Sequence, residues 1–285
     1  VRRAPAREYQ IVIPSYQRAE GLQQKTLAWL GAAGVDPTRI TVFLHDNDPQ
    51  LEAYQALAGR TGIRLNATPM RGITAQRTYI PTQFAPGTPI VCLDDDVTGL
   101  VEAVDSKTLR PVADVDALFR RMFTETAGRD LYVWGLSPVV NAFYMSPGRI
   151  SEGLRFLIFT VIGFFNRPGH PVHEFTVPYK DEHETSLRAW WYDGGTVRHD
   201  GIAAQANYYT DPGGCQAPGE FQRTPAKVVF SVEELEKQWP GLVRRNTRKK
   251  DTGYIEITLA PKKRHAGHPS TTPPPGARAA KAGSP

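Results

Sequence analysis

The sequence predicts an α/β protein: a mostly parallel, doubly wound sheet with helices on both faces. Three observations predict it. Strand-length apolar runs alternate with helix-length amphipathic segments through the first hundred residues, the order that parallel β-α-β units require. Those runs end in polar turns, at Pro14-Ser15, at Asp46 and at Asp94-Asp95-Asp96, where open sheets of this kind bind ligands. With 285 residues, 40% of them hydrophobic and 22% charged, the chain has the size and composition of a globular protein with a real core.

The elements follow in order. Residues 9–13 form an apolar run that Pro14 and Ser15 stop, a strand entering a turn. Residues 21–33 have helical spacing and end at Gly34. A second strand is expected at 40–44, a helix at 50–58, a brief third strand at 63–65 and helical spacing over 73–83. Residues 89–93 are a buried strand, and three carboxylates follow it at once. Asp46 and the Asp94 to Asp96 run both follow strands, so one cleft should hold them. Beyond residue 100 the pattern is less regular. A helix is expected at 115–125, strands at 131–136 and 156–163, and an amphipathic helix at 181–192 closed by Gly194-Gly195. A short strand at 196–199 precedes a Gly/Pro/Asn-rich loop over 207–224, long enough to be a functional lid. Ser231 reads as the N-cap of a helix over 231–239, with Glu233 and Glu234 in its first turn. Residues 254–259 alternate like a strand, and from Pro261 the composition is that of a disordered segment. The expected organisation is a flexible start at 1–8, two halves of one domain at 9–100 and 101–243, a basic segment at 244–264 and a disordered tail at 265–285.

Composition excludes several classes. The longest apolar stretch, 156–165, is half the ~20 residues a membrane helix needs. No signal-peptide pattern opens the sequence. Cys92 and Cys215 form no CxxC pair, which argues against structural zinc and against a disulfide framework. A reducing, cytoplasmic setting is therefore expected, with no membrane and no protein partner implied. Charge is unevenly spread. From Arg244 to Arg264 eight Lys/Arg face two acids, a net +6, and Arg278 and Lys281 add +2. The whole chain is +5, so residues 1–243 carry −3. A mildly acidic body with a basic C-terminal segment points to a polyanionic partner, nucleic acid before a membrane surface.

Two acidic clusters carry the chemistry. Three adjacent carboxylates repel one another and call for a cation or donor-bearing ligand. Alternate residues of an extended segment face one side, so Asp94 and Asp96 can converge on one divalent ion that bridges nucleotide phosphates. The plain alternative is an acidic loop left in water. Asp181-Glu182-His183-Glu184 opens the later helix. Acids there suit the helix dipole, and Glu184 with Arg188 is an i,i+4 pair. Three acids exceed what capping needs, and one at a cleft can serve as general base on an acceptor hydroxyl.

Four segments together resemble the large inverting GT-A glycosyltransferase family. Residues 11–18, Ile-Val-Ile-Pro-Ser-Tyr-Gln-Arg, are similar to its opening strand and turn. Residues 71–77, Arg-Gly-Ile-Thr-Ala-Gln-Arg, resemble its glycine followed by an Ala-Arg-Asn helix. Residues 92–96 resemble its strand-plus-DxD motif, and 181–188 its acidic-pair helix. They occur in family order over residues 9–200. Thr78 stands where that family has Asn, Thr185 where it has Leu, and the pair reads Asp-Glu in place of Glu-Asp, which leaves the base between Asp181 and Glu182. The resemblance implies a Rossmann-like GT-A fold with a smaller acceptor-side region. It implies that Pro14, Ser15 and Arg18 line the nucleotide pocket, that Asp46 binds the base and that Arg77 faces the nucleotide cleft. Asp94, with Asp95 beside it, would meet the ribose or the metal's water shell. Asp96 would ligate Mn2+ or Mg2+, His199 would be a late metal ligand, and Glu182 would be the catalytic base. The donor implied is a nucleotide-sugar, a UDP-sugar by default.

A narrower resemblance is carried by Trp134-Gly135, Asn141, Gly213-Gly214-Cys215-Gln216, Trp239-Pro240-Gly241 and Arg245-Asn246. These look like the TET-associated DNA glycosyltransferases of bacteriophages, similar to the transferase that completes base J. That implies a 5-hydroxymethylpyrimidine acceptor in DNA, such as 5-hydroxymethylcytosine. Independently, Arg244, Arg245, Arg248, Lys249 and Lys250 are candidate phosphate contacts for a duplex. Three other readings remain: a transferase acting on polysaccharide or a small acceptor, a nucleotidyltransferase, and a non-catalytic DNA-binding module. The second would want a Gly-rich, basic phosphate loop after the first strand, and Pro14-Ser15-Tyr16 is not one. The third must explain clustered acids that cost stability without a ligand.

Overall fold

The computed structural model describes residues 8–206, 212–246 and 254–260. Nine strands run across one sheet in the order β3-β2-β1-β4-β9-β7-β10-β5-β6, with β8 pairing beside β10. They are β1 (Gln10–Pro14), β2 (Ile40–His45), β3 (Arg64–Thr68), β4 (Pro89–Leu93), β5 (Val97–Ala103), β6 (Leu109–Pro111), β7 (Val133–Ser137), β8 (Ile150–Gly153), β9 (Val161–Phe165) and β10 (Thr196–Ala206). A separate two-stranded sheet pairs β11 (Val243–Arg245) with β12 (Ile257–Leu259). The helices are α1 (Ala19–Leu22), α2 (Ala28–Ala32), α3 (Leu51–Thr61), α4 (Ile73–Tyr79), α5 (Val115–Gly128), α6 (Asp181–Asp193) and α7 (Pro225–Gln238). A π-helical turn, Gln23–Leu27, joins α1 to α2.

The expected α/β sheet is what forms. β1, β2, β3 and β4 are mutually parallel. Beyond β4 the sheet is mixed: β9 is antiparallel to β4 and β7, while β7 and β10 run parallel. Both faces are covered, and the strands show it by strict alternation. Ile11, Ile13, Val42, Leu44, Val91 and Leu93 join one core cluster, which also holds residues of α3 and α5. Val12, Phe43, Ile90 and Cys92 face the other way, into a cluster that includes Ala189 of α6. Near-continuous apolar strands are the signature of a sheet buried on both sides. One close approach is dictated by composition. A Cβ on Gly163 of β9 would lie 2.0 Å from Cε2 of Trp134 on the neighbouring strand.

Several expected boundaries shift. The strand expected at 156–163 begins only at Val161. The short strand expected at 196–199 continues to Ala206, because it pairs with β7, β8 and β5. Ser231 is no cap. α7 starts earlier, with Thr224 as N-cap and Pro225 in its first turn. Ser231 lies mid-helix, its Oγ donating to the carbonyls of Lys227 and Pro178. The described part of the basic segment belongs to the body, since Val243 and Ile257 pack with Trp239, Leu235 and Leu187. No helix of the described residues is long and apolar enough to cross a membrane.

Candidate active site

Because β1, β2 and β4 are parallel, the turns after them emerge on one edge of the sheet. Ser15 follows β1, Asp46 follows β2 and Asp94 to Asp96 follow β4. A chain of hydrogen bonds ties these turns together. The amide of Arg18 donates to the Tyr54 hydroxyl at 2.9 Å, and that hydroxyl lies 2.7 Å from Ser15 Oγ. Ser15 Oγ donates to Asp95 Oδ2 at 2.6 Å. Arg18 Nη1 donates to Asp95 Oδ1 at 2.9 Å and lies 3.7 Å from Asp96. Asp48, also buried, accepts from the amides of Gln17 and Gln50. Thr26, on the π-helical turn, pins both ends of the acidic run. Its Oγ1 donates to the Asp94 carbonyl and accepts from the Val97 amide, both at 2.9 Å. A π-turn inside a helix often marks a functional site.

The second acidic cluster reaches the same place. Arg77 on α4 is buried beneath the cleft and donates from Nη2 to Asp94 at 2.8 Å and from Nη1 to Asp181 at 2.5 Å. Its guanidinium rests on the Phe159 ring, 3.9 Å from the centroid. Arg77, expected to face the nucleotide cleft, joins strand end to helix start through these two acids. The two carboxylates it bridges raise its pKa against burial, which alone would lower it. Burial raises the pKa of Asp94, with Arg77 pulling it down. Glu182 differs from its neighbour. Asp181 is almost fully buried and paired with Arg77, whereas the Glu182 side chain is 21% exposed. Burial, then the charge of Asp181, pushes Glu182 up to about 7, against Lys180 and Arg223. Glu184 takes a different part. It accepts from Thr176 and from Arg188, buried on α6, and fixes the segment before the helix.

The Gly-rich loop crosses this edge. Arg18 Nε donates to the Pro212 carbonyl at 3.0 Å, and the Gly214 amide donates to the Tyr16 carbonyl at 2.8 Å. A Cβ on Gly213 would lie 2.6 Å from the Gln17 carbonyl, and Gly213 has φ +84, so only glycine fits there. Phe221 lies against Gly72, and the Tyr179 hydroxyl donates to the Phe221 carbonyl at 2.6 Å. Gln17 and Tyr179, at either side of the cleft, both hold positive φ, +55 and +61. Such strain in non-glycine residues concentrates at functional sites. Residues 207–211 of the expected lid lie outside the described residues.

The other expected residues divide. Pro14 closes β1 and is buried. Asp46 is 45% exposed at the sheet edge beside His45. His199 is not brought to the aspartates. It lies on β10, paired with Leu136 and Ile150, and none of Asp94 to Asp96 is among the charged groups around it. Its charged neighbours are Arg121, Asp200, Glu102 and Glu125. Among the described residues no three His, Cys, Asp or Glu side chains converge as a metal site. Asp95 spends one oxygen on Ser15 and the other on Arg18. Asp94 and Asp96 remain reachable, with side chains 32% and 14% exposed. Two carboxylates are what a hard cation takes from protein when phosphates and water supply its other ligands, so Asp94 and Asp96 fit that donor set. Arg245 is turned onto Glu236, at 2.9 Å, and Glu233, while Arg244 is exposed. Arg248, Lys249 and Lys250 lie outside the described residues. Sequence reasoning missed Tyr54, Asp48, Thr26, Tyr179 and Arg223, none of which stands in a motif.

No family model matches the chain, and no curated protein matches it. Among solved structures it is similar to the mannosyltransferase PcManGT from Pyrobaculum calidifontis, a complex with GDP-Man and Mn2+. The identity is 13% and the TM-score 0.45, over 69% of this chain and 59% of that one. The chain thus spans about three fifths of that protein's length, and no residue of the site is assigned from it.

Proposed function

We propose that the chain is a GT-A-type glycosyltransferase that moves a sugar from a nucleotide-sugar to a hydroxyl acceptor. One observation carries the reading: Arg77 binds the strand-end acid Asp94 and the helix-start acid Asp181 together. Beside them Glu182, partly exposed, has its pKa raised to about 7, the range in which a carboxylate works as general base near neutral pH.

The acceptor oxygen attacks the anomeric carbon as that carbon's bond to the diphosphate oxygen breaks. Its proton passes to Glu182, and the nucleoside diphosphate leaves with the bonding electrons. Attack opposite the leaving group inverts the anomeric centre. Asp181 is the weaker candidate for base, since Arg77 already takes its charge. Ser15, Arg18 and Asp46 sit where a nucleotide at the sheet edge would meet them, and Asp94 and Asp96 would hold a divalent cation. When bound, that cation would offset the charge developing on the diphosphate. Water is kept from the reacting atoms by the loop from Pro212 to Phe221, which Arg18 and Tyr179 hold across the cleft.

The acceptor side lies beyond β9. β7 runs parallel to β4, because both pair antiparallel with β9, so its following loop emerges on the same edge as Asp94. That loop presents Phe143 and Tyr144, each 71% exposed, between the buried anchors Ala142 and Met145. Exposed aromatic faces suit stacking against a sugar or base ring. The narrower proposal of a hydroxymethylated pyrimidine in DNA is supported by the basic charge of residues 244–264 and by these aromatics.

The test incubates the protein with Mn2+ or Mg2+, a panel of sugar nucleotides and duplex DNA carrying hydroxymethylated bases. Nucleoside mass spectrometry reads sugar transfer, and free nucleoside diphosphate reads donor turnover. Donor turnover without sugar on DNA removes the DNA acceptor and keeps the transferase. Absence of turnover for every donor removes both.

A further inference from the structure

We infer that Arg77 is held from behind by a single ordered water, bound between α4, the Pro171–His173 turn and α6. Three buried polar atoms lack a hydrogen-bond partner within the protein: Arg77 Nε, His173 Nε2 and Thr185 Oγ1. Each residue is at least nine-tenths buried. All three line one cavity of about 20 Å³, which is room for one water. Buried polar groups rarely stay unpaired, and a bound water is the usual remedy.

The chemistry of the three atoms selects the ligand. The Arg77 Nε–H can only donate, so it needs an acceptor. The Thr185 hydroxyl and the His173 imidazole can each donate or accept. Burial and the charge of Arg167 push His173 down to about 3, so its ring is neutral. One water can accept from Arg77 and still exchange hydrogen bonds with the other two. A cation is disfavoured by the adjoining guanidinium. An anion is disfavoured because Asp94 and Asp181 already neutralise Arg77, and because the space admits only a water-sized group.

The consequence falls on the active site. Arg77 spends Nη1 and Nη2 on Asp181 and Asp94, while Phe159 lies against its face. Nε is the nitrogen of this guanidinium left without a partner within the protein, and a bond there steadies the group's orientation. The water makes Thr185 and His173 positioning residues for the Asp94–Arg77–Asp181 bridge. Thr185 is the position where the family resembled has Leu, so this hydroxyl is a feature of the present chain.

Two measurements test this. A crystal structure of the whole chain, at a resolution that shows ordered waters, should contain a peak within hydrogen-bond distance of Arg77 Nε, His173 Nε2 and Thr185 Oγ1. An empty cavity, or direct bonds among the three side chains, overturns the inference. This arm is independent of the proposed reaction. The second arm rests on that reaction and compares Thr185→Val with Thr185→Ser. Loss of the hydroxyl should lower kcat about tenfold, the size of one unmade buried hydrogen bond, with donor KM little changed and the melting temperature lowered by no more than a few degrees. Ser should retain wild-type kcat. A Val variant with wild-type kcat overturns the positioning role, and a Ser variant as slow as Val assigns the loss to packing and overturns it too.

Discussion

Replacing Glu182 by Gln separates a catalytic base from a helix cap, because the two roles predict opposite changes. In the folded protein burial and Asp181 lift this carboxyl from 4.5 to about 7. The native state therefore holds the proton more tightly than the unfolded chain does. The associated stability is fully present below about pH 4.5 and is lost as pH rises through 7. Worked across that interval, the ionised form costs the fold about 3 kcal/mol at high pH. Glu182→Gln keeps the shape and removes the charge. Urea unfolding at about pH 8.5 should find the variant more stable than wild type by up to about 3 kcal/mol, with the difference vanishing near pH 4.5. Turnover should fall roughly 10²–10⁴-fold with donor binding retained. Wild-type kcat should rise through about pH 7 as Glu182 ionises. A helix cap predicts the reverse, a less stable variant with unchanged turnover. A Gln variant of wild-type activity, or one with no stability gain at high pH, would refute the assignment.

Asp96→Ala should abolish metal-dependent transfer while the melting temperature of the metal-free protein holds or rises, since carboxylate repulsion is relieved; transfer that survives exhaustive chelation would remove the metal. Gly163→Ala should cost about 1–3 kcal/mol in urea unfolding, because its methyl would meet the Trp134 ring. Phe143→Ala combined with Tyr144→Ala should raise acceptor KM and leave donor hydrolysis unchanged, and an unchanged acceptor KM removes the stacking surface. Replacing Arg244, Arg248, Lys249 and Lys250 by Gln should flatten the salt dependence of DNA binding, by about 0.9 for each phosphate that is no longer neutralised. Arg245→Gln should change it less, because Glu236 and Glu233 already engage that side chain. DNA binding that is indifferent to salt would leave a non-nucleic-acid acceptor.

The N-terminal half was legible because each strand there is a short apolar run closed by a turn residue, and its partners are near in sequence. β4 was read to the residue, since Pro89 opens it and Asp94 ends it. β5, β6, β8 and β11 were missed. β8 pairs with β10, roughly fifty residues further along, and β5 pairs with β10 about a hundred residues further along as well as with β6 close by, while β6 and β11 are three-residue strands too short to show a period. β10 was cut short because its polar residues Arg198, His199 and Asp200 break an apolar pattern that the sheet does not require. Ser231 misled because a cap is recognised by side-chain type. The helix start was set instead by Thr224 and Pro225, an equally good signal hidden by the loop before it.

At the site, the acids and the groups that pair with them were legible, and which pairs with which was not. A run of carboxylates is conspicuous because it is costly, so sequence alone locates Asp94 to Asp96 and Asp181 to Glu182. It does not say which of them remain available to chemistry, since that depends on where the cations fold. Arg77 pairs with Asp181, which is buried, and with Asp94, which keeps 32% of its side chain exposed, while Arg18 and Ser15 take both oxygens of Asp95. What stays reachable is Asp94 and Asp96 on the strand side and Glu182 on the helix side. Tyr54 illustrates the limit from another direction. It lies on the buried face of α3 and reads as a core aromatic, yet its hydroxyl links the Arg18 amide to Ser15. Its pKa is raised by burial, so it stays protonated and supplies that link throughout the neutral range. His199 erred in the opposite sense. A histidine after a strand looks like a ligand, but this one lies within β10 among Arg121, Asp200, Glu102 and Glu125 and not among the aspartates. The division of labour among the acids is thus decided by how Arg18 and Arg77 pair with them, and no single motif states those pairings.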